Sequence, residues 1–221
     1  MLITKSFRGF TLAELLIALT LNIILYSALI GMFIATINYY RNNLSVNSLH
    51  FQLESILMIM SDEIRRAGYS ANASNDIGTD QNNNPFVTAG VDISVNNNQH
   101  CILFAYDHQK NGILPAIGAN ADDDRYGYRL MNQAVQGRPS GAPFDCDAAA
   151  TAWENITDIN LIQITNLSFV FTTTTITTGP GSRGLAMRNV DISITGRLTG
   201  TPSVTKTFTQ HVRIANDKFI A

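Results

Sequence analysis

From Phe10 to Ile37 the chain reads FTLAELLIALTLNIILYSALIGMFIATI, and Glu14 is the only charge between Arg8 and Arg41. A run this apolar and this long has few options besides a helix in lipid, because about 20 residues at about 1.5 Å each span roughly 30 Å of hydrocarbon. Lys5 and Arg8 precede the run and Arg41 alone follows it, so the positive-inside bias puts the amino terminus in the cytoplasm and the remainder outside. A secretory signal peptide competes with this reading. It fails because the stretch is too long and because Ser27-Ala28-Leu29 and Ala35-Thr36-Ile37 are poor small-x-small cleavage sites. A plain membrane anchor fits the length but leaves Glu14 unexplained.

A carboxylate inside a spanning helix costs a few kcal/mol even on lenient insertion scales, so it marks a functional site that needs a partner. The run holds no Lys or Arg, but a cut between Gly9 and Phe10 would give a neighbouring copy a new amino terminus at the same depth. The segment Lys5-Ser6-Phe7-Arg8-Gly9-Phe10-Thr11-Leu12-Ala13-Glu14 resembles the type IV prepilin leader. It has a short basic leader, Gly before the cut, Phe after it, then Thr-Leu-x-Glu and a long apolar helix. The resemblance implies that Gly9 ends a leader, 1–9, read by a prepilin peptidase and N-methyltransferase, and that Phe10 becomes the N-methylated terminus. Glu14 would then pair with the Phe10 amino group of an adjacent subunit, each charge relieving the other's desolvation. Gly31 stands where many shaft pilins carry a helix-breaking Pro, which speaks against a place in the filament shaft.

Beyond the apolar run the period becomes that of an amphipathic helix. Leu49, Leu53, Ile56, Leu57, Met60, Ile64 and Ala67 recur at intervals of three and four, and charged residues fill the other faces. Gly68 follows as a candidate C-terminal cap. Residues 10–69 are therefore expected as one helix, membrane-spanning to about Ile37 and roughly 85 Å long if unbroken, with Asn38, Asn42, Asn43 and Asn47 weakening its middle. The ending Ser61-Asp62-Glu63-Ile64-Arg65-Arg66-Ala67-Gly68-Tyr69 is similar to the helix end of PilW and PulJ-like minor pilins. The expected fold is α+β and pilin-like: a long N-terminal helix packed against an antiparallel β-sheet domain, 70–221.

Residues 70–99 are rich in Asn, Asp, Ser and Gly and read as loop, with a short strand at most from Phe86 to Val95. Cys101–Tyr106 and Tyr126–Leu130 read as a hairpin with an elaborated loop whose turn is marked by Asn111-Gly112. Leu161–Thr174, Leu185–Leu198 and Val204–Ile214 read as three further strands, with Thr173–Thr178 and Gly179-Pro180-Gly181 as a loop. Val190, Ile192 and Ile194 alternate with Asp191, Ser193 and Thr195, the pattern of a half-buried antiparallel strand.

The two cysteines, Cys101 and Cys146, fall outside the membrane in this topology, where an even count favours one disulfide. No metal is expected: there is no CxxC pair, and Asp107-x-Gln109-x-Asn111-Gly112 imitates a calcium loop but reaches Gly118 where a bidentate Glu belongs. Asp122-Asp123-Asp124 reads as an acidic turn. No nucleophile motif or phosphate loop appears, so an enzyme is the least favoured class and no cofactor is expected. A balance of 15 Lys and Arg against 17 Asp and Glu argues against nucleic acid as a partner.

Two classes remain. One is a structural subunit, a minor pilin that is inserted in the inner membrane, matured by the peptidase and incorporated into a type IV pilus to prime assembly or form the tip complex. Its expected partners are other minor pilins, major pilin subunits, inner-membrane assembly machinery and membrane lipid. A J-like pseudopilin of type II secretion is the nearest rival within that class. The other class is a pilus-tip binding or adhesion subunit.

Overall fold

The computed structural model describes residues 9–73, 84–88, 90–118, 122–177, 184–200 and 204–220. Most of the proposed leader, 1–8, residues 74–83 with their Asn run, expected as loop, and Gly179-Pro180-Gly181 lie outside the described residues. Helix α1 runs Leu12–Arg65. Contacts divide the chain into two units, Met1–Asn47 and Ser48–Ala221, so the second part of α1 belongs to the larger unit.

In the first unit the helix is long and apolar enough to cross a membrane, and none of the apolar window is buried within the chain. Four polar side chains within the apolar run bond back to their own helix. Thr20 Oγ1 donates to Ile17 O at 2.9 Å, Asn22 Nδ2 to Ala18 O at 2.8 Å, Ser27 Oγ to Ile24 O at 2.8 Å and Thr36 Oγ1 to Met32 O at 2.9 Å. Hydrocarbon offers no hydrogen-bond partners, so this internal satisfaction is what a spanning helix requires.

Among the described residues the larger unit carries nine strands: β1 (Ser94–Val95), β2 (Cys101–Ala105), β3 (Arg125–Met131), β4 (Ala134–Gly137), β5 (Glu154–Asn155), β6 (Ile162–Thr177), β7 (Gly184–Leu198), β8 (Thr205–Arg213) and β9 (Lys218–Ile220). They form two antiparallel sheets. One has the order β1-β2-β3-β4-β5; in the other β7 is central, with β6 along one side and β8 and β9 sharing the other. The helix face Leu49, Leu53, Ile56, Leu57, Met60 and Ile64 meets Ile102 and Phe104 of β2, Ile164, Leu167 and Phe169 of β6, and Val190, Ile192 and Ile194 of β7 in one core. Each such side chain, when fully buried, contributes roughly 1.5–3 kcal/mol through water removed from apolar surface.

Several expectations shift. The helix starts at Leu12 because Thr11 is its cap, and it ends at Arg65, after which Arg66 N–H and Ala67 N–H reach only the third residue back, Glu63 O and Ile64 O, at 3.0 and 3.1 Å. Gly68, in left-handed backbone at φ +76°, sends its N–H to Ala105 O of β2 at 2.8 Å rather than back to the helix. Its role is close approach: a Cβ there would lie 2.6 Å from Arg188 Nη2 and 2.8 Å from Val87 Cγ1. The segment expected as a strand from Phe86 to Val95 is a 3-10 turn, Pro85–Val87, followed by the two-residue β1; Asn84 Oδ1 accepts from Phe86 N–H at 2.9 Å to start that turn. Thr173–Thr177, expected as loop, continues β6, because β-branched threonines suit the pleat and Gly184–Arg188 of β7 pairs with them.

Candidate functional site

The N-terminal residues singled out by the sequence sit together at the start of α1. Gly9 is exposed, Phe10 is 89% exposed, and Thr11 occupies the cap position one residue before the helix. Thr11 donates to Glu14 Oε2 from both its N–H and its Oγ1, each at 2.9 Å, and Glu14 N–H donates to Thr11 Oγ1 at 3.3 Å. This is a capping box, in which a hydroxyl cap and an acid three residues later satisfy each other's orphan donors. The sequence signal for this cap is the spacing Thr11-x-x-Glu14, which lies inside the leader motif. Both bonds to Glu14 fall on Oε2, and Oε1 makes none among the described residues.

In the larger unit Cys101 and Cys146 form a disulfide with Cα atoms 6.0 Å apart. The bond ties the 138–149 excursion to the first residue of β2, beside Leu103 and Trp153. Arg129 completes this corner. Its guanidinium lies 4.5 Å from the Trp153 ring, donates to Cys146 O at 2.8 Å and Ala148 O at 2.7 Å, and places Nε on Gln136 Oε1 at 2.9 Å. Nothing in local periodicity announces a buried arginine of this kind.

A second polar assembly joins the β2–β3 loop to the end of α1. Tyr106 and Tyr126 stack with centroids 4.4 Å apart; the Tyr106 hydroxyl donates to Glu63 and the Tyr126 hydroxyl to Asp122. Burial pushes both phenols well above their ordinary range, and the carboxylate partners add to it. His108 Nδ1 meets Asp122 Oδ2 at 2.6 Å. Burial raises the Asp122 carboxyl, but the Tyr126 and His108 hydrogen bonds outweigh it and leave the group below the usual carboxylate range. A cavity of about 570 Å³ opens beside these groups, lined by Arg66, Tyr69, Tyr106, Asp107, His108 and Lys110.

The calcium-loop imitation resolves as a turn. Asp107 Oδ2 accepts from Ala71 N–H at 2.9 Å and Gly112 N–H at 2.8 Å, and Oδ1 accepts from Asn111 N–H at 3.0 Å, so backbone amides consume the carboxylate. The three adjacent aspartates separate by role. Asp123 forms a fully buried ion pair with Arg138 at 2.6 Å, while Asp124 is fully buried with Oδ2 unbonded among the described residues. Of the remaining histidines, His50 faces Glu54 at 3.3 Å, His100 Nδ1 meets Leu167 O at 2.6 Å and His211 Nδ1 meets Asp191 at 2.6 Å. Among the described residues no three of His, Cys, Asp and Glu are gathered as a metal would need.

Residues 42–214 match a family model described as prepilin peptidase-dependent protein B. No curated protein and no solved structure matches the chain. The matched segment excludes Gly9–Glu14, so the leader motif and the family match are independent observations on one chain. The match covers well over half of the sequence, and the chain belongs to the prepilin peptidase-dependent protein B family of pilin-like proteins.

Proposed function

We propose that the protein is a minor pilin of the PilW kind, matured by prepilin peptidase and incorporated into a type IV pilus, where it primes assembly or joins the tip complex. The observation that carries this reading is the position of Glu14 in the first turn of an apolar helix, with the Gly9-Phe10 junction immediately before it. Cleavage there would remove the basic leader and leave an ammonium at Phe10, the one cation available at that depth. The family match supports dependence on the peptidase. In this proposal the amino terminus faces the cytoplasm, the sheets lie on the periplasmic side before assembly, and the protein has no catalytic role. Its partners are the peptidase, other minor pilins, major pilin subunits and the assembly machinery.

Intact mass and amino-terminal sequencing of protein from membranes and from sheared filaments test it, with Glu14→Ala alongside. The expected result is a mature chain starting at N-methyl-Phe10, and a Glu14→Ala variant that is cleaved but missing from filaments. Retention of Met1 in every pool would overturn the leader, and a filament pool lacking the wild-type protein would overturn incorporation.

A further inference from the structure

Strand β6 outruns the core it helps to build. Its last six residues, Thr172–Thr177, are exposed on both faces, although each is paired with β7. Phe169 N–H donates away from β7 to Gln99 O at 2.8 Å, and Leu167 O accepts from His100 on the same side. The two-residue period of an antiparallel ladder therefore turns the N–H and C=O groups of Phe171, Thr173, Thr175 and Thr177 outward. Among the described residues no backbone hydrogen bond reaches that edge.

Proteins guard such edges with charge, proline, bulges or cover, because an unguarded edge is a template for another strand. The opposite edge of this sheet follows the rule: β8 carries Lys206, His211 and Arg213. The β6 edge breaks it. Phe171-Thr-Thr-Thr-Thr-Ile-Thr177 has no charge, no proline and no glycine, and it is almost entirely β-branched. Two β8 edges meeting antiparallel would bring basic residues together, whereas two β6 edges meet as neutral strands. In an antiparallel pair about a two-fold axis at Thr174, Thr173 faces Thr175 of the other copy, Phe171 faces Thr177, and Thr172 faces Ile176. Thr–Thr and β-branched pairs of this kind are among the favourable cross-strand contacts, and the arrangement closes on itself as an isologous dimer.

We propose that Phe171–Thr177 is a docking edge for a second copy of this chain, the two β6 strands pairing antiparallel about Thr174 to join two sheets into one. The inference does not depend on the pilin reading.

The test uses the full chain in detergent, with sedimentation measured over a range of concentrations. Wild type is expected to dimerise. Thr174→Lys places one ammonium directly opposite another across the axis and is expected to weaken the dimer about tenfold or more; Thr174→Glu should do the same. An equimolar mixture of Thr174→Lys and Thr174→Glu is expected to recover the dimer, which a mere folding defect could not do. A monomeric wild type, or a dimer that persists unchanged in Thr174→Lys, overturns the proposal. In membranes, a photo-crosslinking amino acid at position 174 should join two copies of the chain; a crosslink only to a different protein would overturn the choice of occupant.

Discussion

Glu14 holds Thr11 through two 2.9 Å hydrogen bonds that converge on a single carboxylate oxygen, Oε2. The acid therefore does local work within its own chain, and its effect on the helix start can be separated from the assembly role proposed for it. Glu14→Gln keeps an acceptor for Thr11 but removes the charge, whereas Thr11→Ala keeps the charge and removes the cap. If a Phe10 ammonium on a neighbour is the assembly partner, Glu14→Gln is expected to lose filament incorporation and Thr11→Ala to retain most of it, at a local cost of about 1 kcal/mol. Quantitative immunoblotting of sheared filaments distinguishes them. The reverse order would make capping, rather than charge pairing, the role of Glu14.

The Cys101–Cys146 disulfide and the Arg129 contacts hold the same excursion from two directions. Replacing both cysteines by alanine frees a long loop in the unfolded chain, and the chain-entropy model gives a loss of about 4 kcal/mol. Trp153 is the chain's single tryptophan and packs beside the bond, so its fluorescence reports the urea transition directly. Limited proteolysis should cut the double variant first between residues 139 and 149, with Arg129 still anchoring the segment's end.

Much of this architecture is legible in the sequence because it rests on periodicity. The apolar run, the three-and-four spacing from Leu49 to Ala67 and the alternation through Val190, Ile192 and Ile194 each state which face is buried, and the core assembles those faces. What was not legible has a common cause. The strands β4, β5 and β9 are too short to show a period; β4 and β9 exist because the longer β3 and β7 offer them hydrogen-bond partners, and β5 adds two residues to β4. Arg129, Arg138 and Arg188 carry no mark of burial in the sequence, yet each is buried against carbonyl or carboxylate groups that come from distant positions. The Thr-rich end of β6 is loop-like by polarity and strand-like by β-branching, and its pairing with β7 decides for the strand.

Gly68 tests the junction between helix and sheet. Its positive φ strains any L side chain, and the space a Cβ needs is taken by the Arg188 guanidinium and the Val87 side chain. Arg188 cannot retreat cheaply, since it donates to Asp92 Oδ1 at 2.6 Å and to Asn216 O at 2.5 Å. Gly68→Ala is expected to destabilise the larger unit by about 2–3 kcal/mol. A urea midpoint unchanged from wild type would show that this corner can open freely.

The Asp123–Arg138 pair is fully buried, so its two halves are not equivalent to the whole. Asp123→Ala leaves an arginine without its counter-charge, and Arg138→Met leaves a buried carboxylate; each is expected to cost about 3–5 kcal/mol. The double variant should cost less than the sum, because no charge remains stranded. A double-mutant cycle in urea measures the difference, and strict additivity would mean that water reaches the pair.

Asp124, the next residue, points the opposite way with pH. Its carboxyl is fully buried, Oδ1 accepts from His108 N–H at 3.1 Å, and Oδ2 has no partner among the described residues. Burial raises its pKa to about 6, Asp122 and Asp107 add to the rise, and the His108 hydrogen bond and charge oppose it. Because the folded value lies above the unfolded value of about 3.9, the protonated group stabilises the fold at low pH and that contribution is lost as pH rises through about 6. Asp123 has the opposite sign: burial raises it, but the Arg138 hydrogen bonds and charge outweigh burial, and its contribution is lost as pH falls. Asp124→Asn keeps the Oδ1 acceptor and tolerates the left-handed φ of +57°, so it removes only the titration. The variant is expected to match wild type near pH 4 and to exceed it by about 1–3 kcal/mol at pH 7. Urea unfolding of both proteins between pH 4 and 7 reads this directly, and a constant difference across the range would mean that Asp124 does not titrate there.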